Sequence, residues 1–159
     1  MVRWAEFEAE APEIAAEGRR LVYARGDGEA LLVTVRGAEL PRVHPINVGV
    51  VDDGLYAFLL PSPKRTDLEL DGRFALHTHQ DPAAPDEFSI RGRATVVDDP
   101  VVRARVADAW FFEVDDTCLL VELSIEHALL GLRGQDEWPP RYRPWSATPG
   151  SGARGEVRT

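Results

Sequence analysis

The only lysine of the chain, Lys64, lies in the run Ser62-Pro63-Lys64-Arg65, whereas arginine occurs seventeen times. Serine is a favoured N-cap and proline a favoured first helical residue, so the run predicts the start of a short helix. Lys64 and Arg65 then fall in the first turn, where each cation opposes the helix dipole by roughly 0.3 to 1 kcal/mol. A phosphate among the free backbone N–H groups would remove this mismatch. The alternative, that two exposed cations are simply tolerated there, stays equally open.

A second group of polar candidates lies on the strand-like segment before this helix. Arg42 and His44 are two residues apart, so in an extended strand they face the same way and can line one end of a single groove. Pro45 removes a hydrogen-bond donor from the strand, which predicts a bulge or an edge whose backbone faces a ligand. The plainer interpretation makes Arg42 an exposed strand-end charge and His44 a rim residue.

The remaining candidates for chemistry are weaker. His77 and His79 share one face of a predicted strand, a spacing that can hold a transition metal if a third ligand converges. The sequence names no third ligand, so packing on a barrel surface or dimer seam is the favoured interpretation, and we predict no metal site. No serine lies in a nucleophile motif, so triad hydrolysis has little support, and no catalytic residue is assigned.

The elements that must position these residues are mostly strands. The helical segments are predicted to begin at Ala11-Pro12, at Ser62 and at Asp99-Pro100. Strand patterns cover residues 29–36, 41–51, 55–60, 73–79, 87–97, 117–125 and 128–133. Six or seven short strands with a few helices and no βαβ alternation predict a mostly β fold, an antiparallel split barrel. We expect one domain over residues 1–145 and a flexible tail over 146–159, where Pro, Gly, Ser and Arg accumulate.

The amino-acid composition limits the class of protein and its expected location. The 159 residues are 44% apolar and 28% charged, which is ordinary for a soluble globule. A formal net charge of −9 argues against a protein that grips nucleic acid phosphates. The apolar runs are too short for a bilayer span and the first residues lack a signal-peptide pattern, so no membrane association is expected. Cys118 is the only cysteine, which excludes an intrachain disulfide. A cytoplasmic location is the prediction.

Five short motifs, in this order and spacing, resemble the pyridoxamine 5'-phosphate oxidase-like family of flavin-binding split barrels. The motifs are Arg42-Val43-His44-Pro45, Gly54-Leu55-Tyr56, Ser62-Pro63-Lys64 with Asp67-Leu68, the run from Arg73 to His77, and the strand from Ile90 to Ala94. The resemblance covers roughly residues 11–145. It implies FMN bound across the interface of a homodimer, and it does not fix the reaction.

The resemblance also implies a set of cofactor-binding residues. Ser62 and Lys64 match the family's flavin-phosphate motif, and Arg42 matches an arginine that reaches the phosphate or the ribityl chain. The backbone of the Arg42-Val43-His44-Pro45 segment is then expected against the isoalloxazine ring. Glu87 stands where many members carry an amide, and an ionised carboxylate cannot donate to a cofactor, so Arg65 is a candidate to compensate.

These residues lead to a functional hypothesis with open alternatives. The sequence predicts an FMN-dependent oxidoreductase that acts on an unknown small molecule, with the flavin supplying the redox chemistry. A deazaflavin is the first alternative cofactor, and Arg42 or Arg65 would contact its longer tail. The second alternative is a non-catalytic flavin- or haem-binding module, in which His44, His77 or His79 is an axial-ligand candidate, or a barrel without cofactor. The C-terminal Arg and His spacing does not match oxidation of pyridoxamine phosphate.

Overall fold

The computed structural model describes residues 1–134 and 136–148. Four helices and eight strands follow one another along the chain. In order they are α1 (Trp4–Glu10), α2 (Pro12–Val22), β1 (Glu29–Thr34), β2 (Arg42–Asn47), β3 (Gly49–Val51), β4 (Gly54–Leu59), α3 (Pro63–Leu70), β5 (Arg73–Thr78), β6 (Glu87–Val96), α4 (Pro100–Asp108), β7 (Leu119–Leu132) and β8 (Arg141–Ser146).

All eight strands join one antiparallel sheet in the order β2-β1-β5-β6-β7-β4-β3, and β8 also pairs with β7. The long β7 makes this arrangement possible, because its first half pairs with β4 and its second half with β8 while β6 lies along most of its length. The register shifts between Arg91 and Gly92, where β6 meets β7 at a bulge. Such a bulge bends and twists a strand, which suits a sheet that curls into a half-barrel. The predicted fold class, a mostly β antiparallel split barrel, is confirmed.

Apolar side chains from alternate strand positions fill the interior. Ala30 and Leu32 of β1, Leu76 of β5 and Ile90 of β6 are almost completely buried, while their neighbours in the chain face outward. Helix α2 closes against the barrel through Gly18, where an added Cβ would lie 2.6 Å from the Phe88 ring. A second, smaller cluster under α4 contains Tyr56, Phe58, Val106, Cys118 and Leu120.

The structure has eight strands rather than six or seven for three reasons. The predicted strand 41–51 divides into β2 and β3, and the two predicted segments 117–125 and 128–133 are one continuous strand, β7. The segment that ends in Trp145 and Ser146 pairs with β7 as β8, although its Pro and Arg content gave no strand signal. After β8, the N–H of Ala147 donates to the Glu126 carbonyl at 2.9 Å. Residues 149–159 of the predicted tail lie outside the described residues.

Helix α1 was not predicted, and it completes the core. Trp4 and Phe7 are fully buried, and Phe7 lies 4.8 Å from the Trp145 ring centroid. The Arg3 side chain fixes the helix start by donating to Glu122 at 2.6 Å and to the Tyr56 hydroxyl at 3.0 Å. Helix α1 has seven residues, too few for a clear helical period in the sequence. The helix therefore depends on its contacts with β4 and β7.

Among the described residues, no helix has both the length and the apolar character needed to span a membrane.

Candidate functional site

A cleft of about 720 Å³ lies beside β2, the edge strand of the sheet, at the point where β4 leads into α3. This volume lies within the range of roughly 300 to 1,000 Å³ that small-molecule and cofactor sites occupy. Its walls come from β1, β2, the β4–α3 connection and the segment after α4. The lining residues are Arg25, Glu29, Ala30, Pro45, Ile46, Asn47, Phe58, Leu60, Pro61, Ser62, Lys64, His79, Trp110 and Phe112.

Lys64 is the cation at the α3 end of the cleft. Its ammonium group donates to the Pro45 carbonyl at 2.6 Å, so α3 is joined to β2 across the cleft wall. Burial lowers the pKa of Lys64 below its ordinary value. No carboxylate of residues 1–134 or 136–148 lies within 4 Å of the ammonium, although most arginines in the same range have an acidic partner. Lys64 is therefore a partly desolvated charge with two donor positions left over.

Ser62 starts α3 as the sequence predicts. Its hydroxyl accepts a bond from the Arg65 N–H at 3.4 Å and donates to the Leu60 carbonyl at 2.9 Å, and Pro63 occupies the first helical position. The helix runs for eight residues to Leu70. Because Ser62 and Lys64 both line the cleft, the first turn of α3 faces it with one hydroxyl and one ammonium group.

Asp67, one turn after Lys64, anchors α3 to the sheet. Its carboxylate is 1% exposed, and it accepts bonds from three side chains of the β1–β2 hairpin. The Thr34 hydroxyl donates at 2.8 Å, Arg36 donates twice at 2.8 and 3.0 Å, and Arg42 donates to both oxygens at 2.8 and 2.9 Å. Burial disfavours the charged carboxylate, but these bonds outweigh that cost and the pKa of Asp67 lies below its ordinary value.

Arg42 thus has a different environment from the one the family resemblance implied. One terminal nitrogen of its guanidinium binds Asp67, and the other binds Glu39 at 2.9 Å. It does not line the cleft. The cluster of Arg36, Arg42, Asp67 and Glu39 holds two cations and two anions. Formally it carries no net charge, which leaves Lys64 as the uncompensated charge of this end of the site.

His44 lies on the same side of β2 as Arg42, as strand geometry predicts. Its Nε2 is 3.1 Å from the Thr34 hydroxyl oxygen, which also binds Asp67. Burial, and then the nearby charge of Lys64, lower the pKa of His44, so the neutral imidazole dominates at pH 7. His44 is therefore connected to Asp67 through one hydroxyl group.

Aromatic side chains form the wall opposite β2. Phe58, Trp110 and Phe112 line the cleft, and the Phe58 and Trp110 ring centroids are 5.2 Å apart in an edge-to-face arrangement. Trp110 packs on the bare backbone of Gly49, where an added Cβ would lie 2.7 Å from the indole ring. Phe112 is 42% exposed beside this wall. An apolar surface made of aromatic rings suits an aromatic ligand.

The other predicted site residues are spread more widely. Val43 is 64% exposed and does not line the cleft, whereas Pro45 does. Arg65 turns away, donating to the Thr117 carbonyl at 2.9 Å and pairing with Glu69 at 3.5 Å. The structure therefore brings Pro45, Ser62 and Lys64 together at the cleft and holds Arg42, His44 and Arg65 in contacts with other residues.

Two of the weaker candidates lie elsewhere. His77 is on the outer face of β5, with Nδ1 2.6 Å from the Thr78 carbonyl, whereas His79 lines the far end of the cleft. Within residues 1–134 and 136–148, no group of three His, Cys, Asp or Glu side chains is placed to hold a metal ion. Glu87 is outside the cleft, where it accepts a bond from Gln80 at 3.2 Å.

Sequence reasoning missed the aromatic wall and the far end of the cleft. Trp110 and Phe112 follow the end of α4, where large apolar residues usually belong to a core, and nothing in their spacing relates them to Lys64. Arg25 and Asn47 flank the β1–β2 pair at the far end. Asn47 is the last residue of β2, the strand that contains Pro45, and this proline is the one signal in the sequence that points to the region.

Comparison with solved structures identifies the type of fold. One is a putative pyridoxamine 5'-phosphate oxidase from Listeria innocua, with a TM-score of 0.58 and 15% identity over 72% of this chain and 95% of that one. Another is a NimC/NimA family protein from Clostridium acetobutylicum, with a TM-score of 0.61 and 15% identity over 83% of this chain and 94% of that one. The fold is the pyridoxamine 5'-phosphate oxidase-like split barrel.

A third structure with this split barrel is HutZ, the haem storage protein from Vibrio cholerae, with a TM-score of 0.58 and 16% identity over 70% of this chain and 89% of that one. No family model matches the chain, and no curated protein matches it at the level of sequence. At identities this low the likeness concerns the split barrel alone, because one fold hosts many functions.

Proposed function

We propose that the chain binds FMN in the cleft beside β2 and acts as an oxidoreductase on a small molecule. The observation that carries the proposal is Lys64, a partly desolvated ammonium at one end of a cleft with an aromatic wall. No residue of the described part of the chain gives this ammonium an acidic partner. A desolvated charge is costly unless a counter-charge compensates it, and a phosphate group beside Ser62 and the first turn of α3 supplies one.

The rest of the cleft fits a flavin. Phe58, Trp110 and Phe112 offer apolar surface for a planar ring, and the edge strand β2 presents its backbone on the opposite side. When bound, FMN supplies the hydride or electron transfer. The residues of the chain hold the phosphate, orient the ring and exclude water from its apolar faces. No protein acid or base is assigned.

FMN is favoured over a deazaflavin with a longer anionic tail. Such a tail needs further cations, and the candidates for that role were Arg42 and Arg65. Arg42 is bound to Asp67 and Glu39, and Arg65 is bound to Thr117 and Glu69. Among the described residues, Lys64 alone is left to neutralise an anion at this end, which matches a single terminal phosphate better than an extended polyanion.

We also propose that the functional unit is a homodimer. Six residues that pair in turn across neighbouring strands form a row on the outer face of the sheet. They are Pro45, Leu31, His77, Ser89, Leu129 and Pro144. Leu31 and Leu129 are each 36% exposed on this face. Because the row begins at Pro45, a second copy seated on it would border the cleft. Analytical ultracentrifugation should show a dimer that Leu129→Arg dissociates; a wild-type monomer at micromolar concentration would contradict this.

Haem is the second candidate ligand. His79 lines the far end of the cleft and has no hydrogen-bond partner in the described part of the chain, so its imidazole is free to bind iron. The barrel of HutZ, named as a haem storage protein, has the same fold. A haem titration should then give a Soret shift that His79→Ala abolishes and Lys64→Ala retains.

Ligand titrations decide between these candidates. FMN fluorescence should be quenched by the wild-type protein at micromolar concentration, and Lys64→Ala should weaken binding by roughly tenfold to a hundredfold, the effect of losing one charge-assisted hydrogen bond. Arg65→Ala is the matched control, because it removes the neighbouring cation of the same helical turn but not one that faces the cleft. We expect this control to change the affinity less than threefold.

A wild-type protein that fails to quench FMN would count against FMN binding. Equal weakening by Lys64→Ala and Arg65→Ala would count against Lys64 as the contact of the phosphate. Mass spectrometry of the ligand released from purified protein identifies FMN, a deazaflavin or haem directly.

A further inference from the structure

Strand β6 presents two opposite charges on the outer face of the sheet. Phe88 and Ile90 of this strand are buried in the core. Glu87, Ser89 and Arg91 alternate with them along the strand and therefore face outward. Ser89 belongs to the row on which the proposed homodimer is seated, and it lies midway between the two charges. At a rise of about 3.3 Å per residue, each charged residue is about 7 Å from Ser89 along the strand.

Neither charge is neutralised within the described part of the chain. Arg91 is exposed and forms no hydrogen bond or ion pair with residues 1–134 or 136–148. The Glu87 side chain is 22% exposed and accepts a hydrogen bond from Gln80 at 3.2 Å. The basic group that approaches its carboxylate is the imidazole of His77, at 3.8 Å. The outer face thus carries one available cation and one available anion, on either side of Ser89.

The neighbouring strands leave both charges open. Arg91 pairs in register with Ala75 of β5 and with His127 of β7, so neither paired neighbour brings a carboxylate to it. Glu87 pairs with Gly131 of β7, which has no side chain to offer a cation. The face therefore has a basic end at Arg91 and an acidic end at Glu87.

A second copy of the chain can pack on this face in two simple two-fold arrangements. If the axis runs along the strands, the basic end of one copy faces the basic end of the other, and like charges meet. If the axis runs across the strands through the row of Ser89, the two β6 strands are antiparallel and each Arg91 faces the partner's Glu87. Like charges placed face to face weaken an interface and opposite charges strengthen it, so charge favours the antiparallel arrangement.

The dimensions of packed sheets allow this contact. Two sheets pack about 10 Å apart, a gap that side chains from both faces fill. Their strands cross at about 30°, which moves a residue that is about 7 Å from the axis sideways by only about 3 Å. The long, exposed side chain of Arg91 can cover that distance to the partner's Glu87.

We propose that the outer face binds a second copy of the chain with the two β6 strands antiparallel, through two equivalent ion pairs between Arg91 of one protomer and Glu87 of the other. The partly exposed Leu31 and Leu129 lie in the row between these pairs and supply the apolar contact. This arrangement rests on the homodimer of the proposed function, and it adds the orientation of the two protomers and the residues that select it.

Charge reversal tests the arrangement, with the dimer Kd measured by analytical ultracentrifugation. Arg91→Glu places like charges at both contacts and should weaken the dimer at least about tenfold, and Glu87→Arg should do the same. The double variant exchanges the two charges, so its Kd should return to within about threefold of the wild type. Arg93→Glu is the matched control, because it changes the net charge of β6 equally while Arg93 already pairs with Glu126 at 3.9 Å. This control should weaken the dimer less than about threefold.

Equal weakening by Arg91→Glu and Arg93→Glu, or a double variant no tighter than the single variants, would overturn the antiparallel arrangement. A wild-type monomer would overturn the arrangement and the homodimer together, whereas the FMN titration would still decide the cofactor. If circular dichroism shows that Glu87→Arg does not fold, Glu87→Gln and Arg91→Gln replace the reversals. Groups that pair lose their contact only once, so these two changes together should weaken the dimer no more than the stronger one alone, and effects that multiply would overturn the pairing.

Discussion

Two charged regions lie one helical turn apart on α3 and behave in opposite ways. At Asp67, a buried anion is surrounded by the donors of Thr34, Arg36 and Arg42, so every charge has a partner. At Lys64, a partly buried cation binds a carbonyl group but, within residues 1–134 and 136–148, no anion. The first region holds the helix to the sheet, and the second leaves an electrostatic demand for a ligand to satisfy. Compensation of charge, rather than charge itself, distinguishes the structural cluster at Asp67 from the ligand site proposed at Lys64.

The largest effect is expected when the compensated region is broken. Asp67→Ala leaves two guanidinium groups and a buried hydroxyl without their acceptor, and should lower the free energy of unfolding by about 2 to 4 kcal/mol. The cost stays below that of a fully buried ion pair because Arg36 and Arg42 are 34% and 39% exposed and regain water. Urea denaturation measures it. Glu69→Ala, an exposed acid on the same helix, is the control and should change stability by less than about 0.5 kcal/mol; equal losses would refute the distinction.

The compensated region should also respond to acid. The native pKa of Asp67 lies below that of the unfolded chain, so its contribution to stability is present at neutral pH and is lost as the pH falls through the native value. The wild type should therefore lose stability relative to Asp67→Asn below about pH 4, and the two unfolding curves should converge. Parallel curves from pH 7 to pH 2.5 would show that Asp67 is not the group that titrates.

The uncompensated region should respond to base. Burial lowers the pKa of Lys64, so its positive charge is lost at lower pH than that of a free lysine. FMN affinity should fall by up to about tenfold between pH 8 and pH 10.5, whereas in Lys64→Arg it should stay constant because a guanidinium remains charged. Fluorescence titration across this range, with Arg65→Lys as the control for general effects of pH, measures the difference. A wild-type affinity independent of pH would remove Lys64 from the phosphate site.

The smallest effect is expected when Lys64 is replaced, and this substitution compares most directly with Asp67→Ala. Lys64→Met removes a hydrogen bond to Pro45 but also the cost of desolvating the ammonium, so the free energy of unfolding should change by less than about 1 kcal/mol. Thermal unfolding without added ligand measures it. A loss as large as that of Asp67→Ala would make Lys64 a structural cation, and the argument for an anionic ligand would fail.

The fold was largely predictable where local chemistry decided it. Ser62 and Pro63 start α3, and Asp99 caps α4 by accepting from the Val101 N–H at 2.8 Å. Strands with alternating apolar residues, such as β6, were predicted close to their observed bounds. Two elements, α1 and β8, were not predicted. Helix α1 is stabilised by partners more than 100 residues away in the chain, and β8 is stabilised by pairing with β7. Neither has a local pattern strong enough to overcome the entropy of ordering it alone.

The site was predictable only in part. Lys64 and Ser62 were identified from helix-start chemistry, and both lie at the cleft. Arg42 was predicted as a ligand contact from the family resemblance, but its side chain is bound to Asp67. Spacing along β2 places Arg42 and His44 on one side, as observed, but cannot say that a carboxylate from α3 occupies the space in front of them.

The sequence by itself determined the antiparallel, mostly β architecture, the start of α3 and the position of a lone lysine in its first turn, since these depend on neighbours within a few residues. Only the tertiary structure decided which charges are neutralised. Asp67 meets Arg36 and Arg42, and Lys64 meets the Pro45 carbonyl, because the β1–β2 hairpin folds against α3. Electrostatic compensation acts through space between groups that are distant in the chain, and for that reason the free charge of the site became visible only once the barrel was assembled.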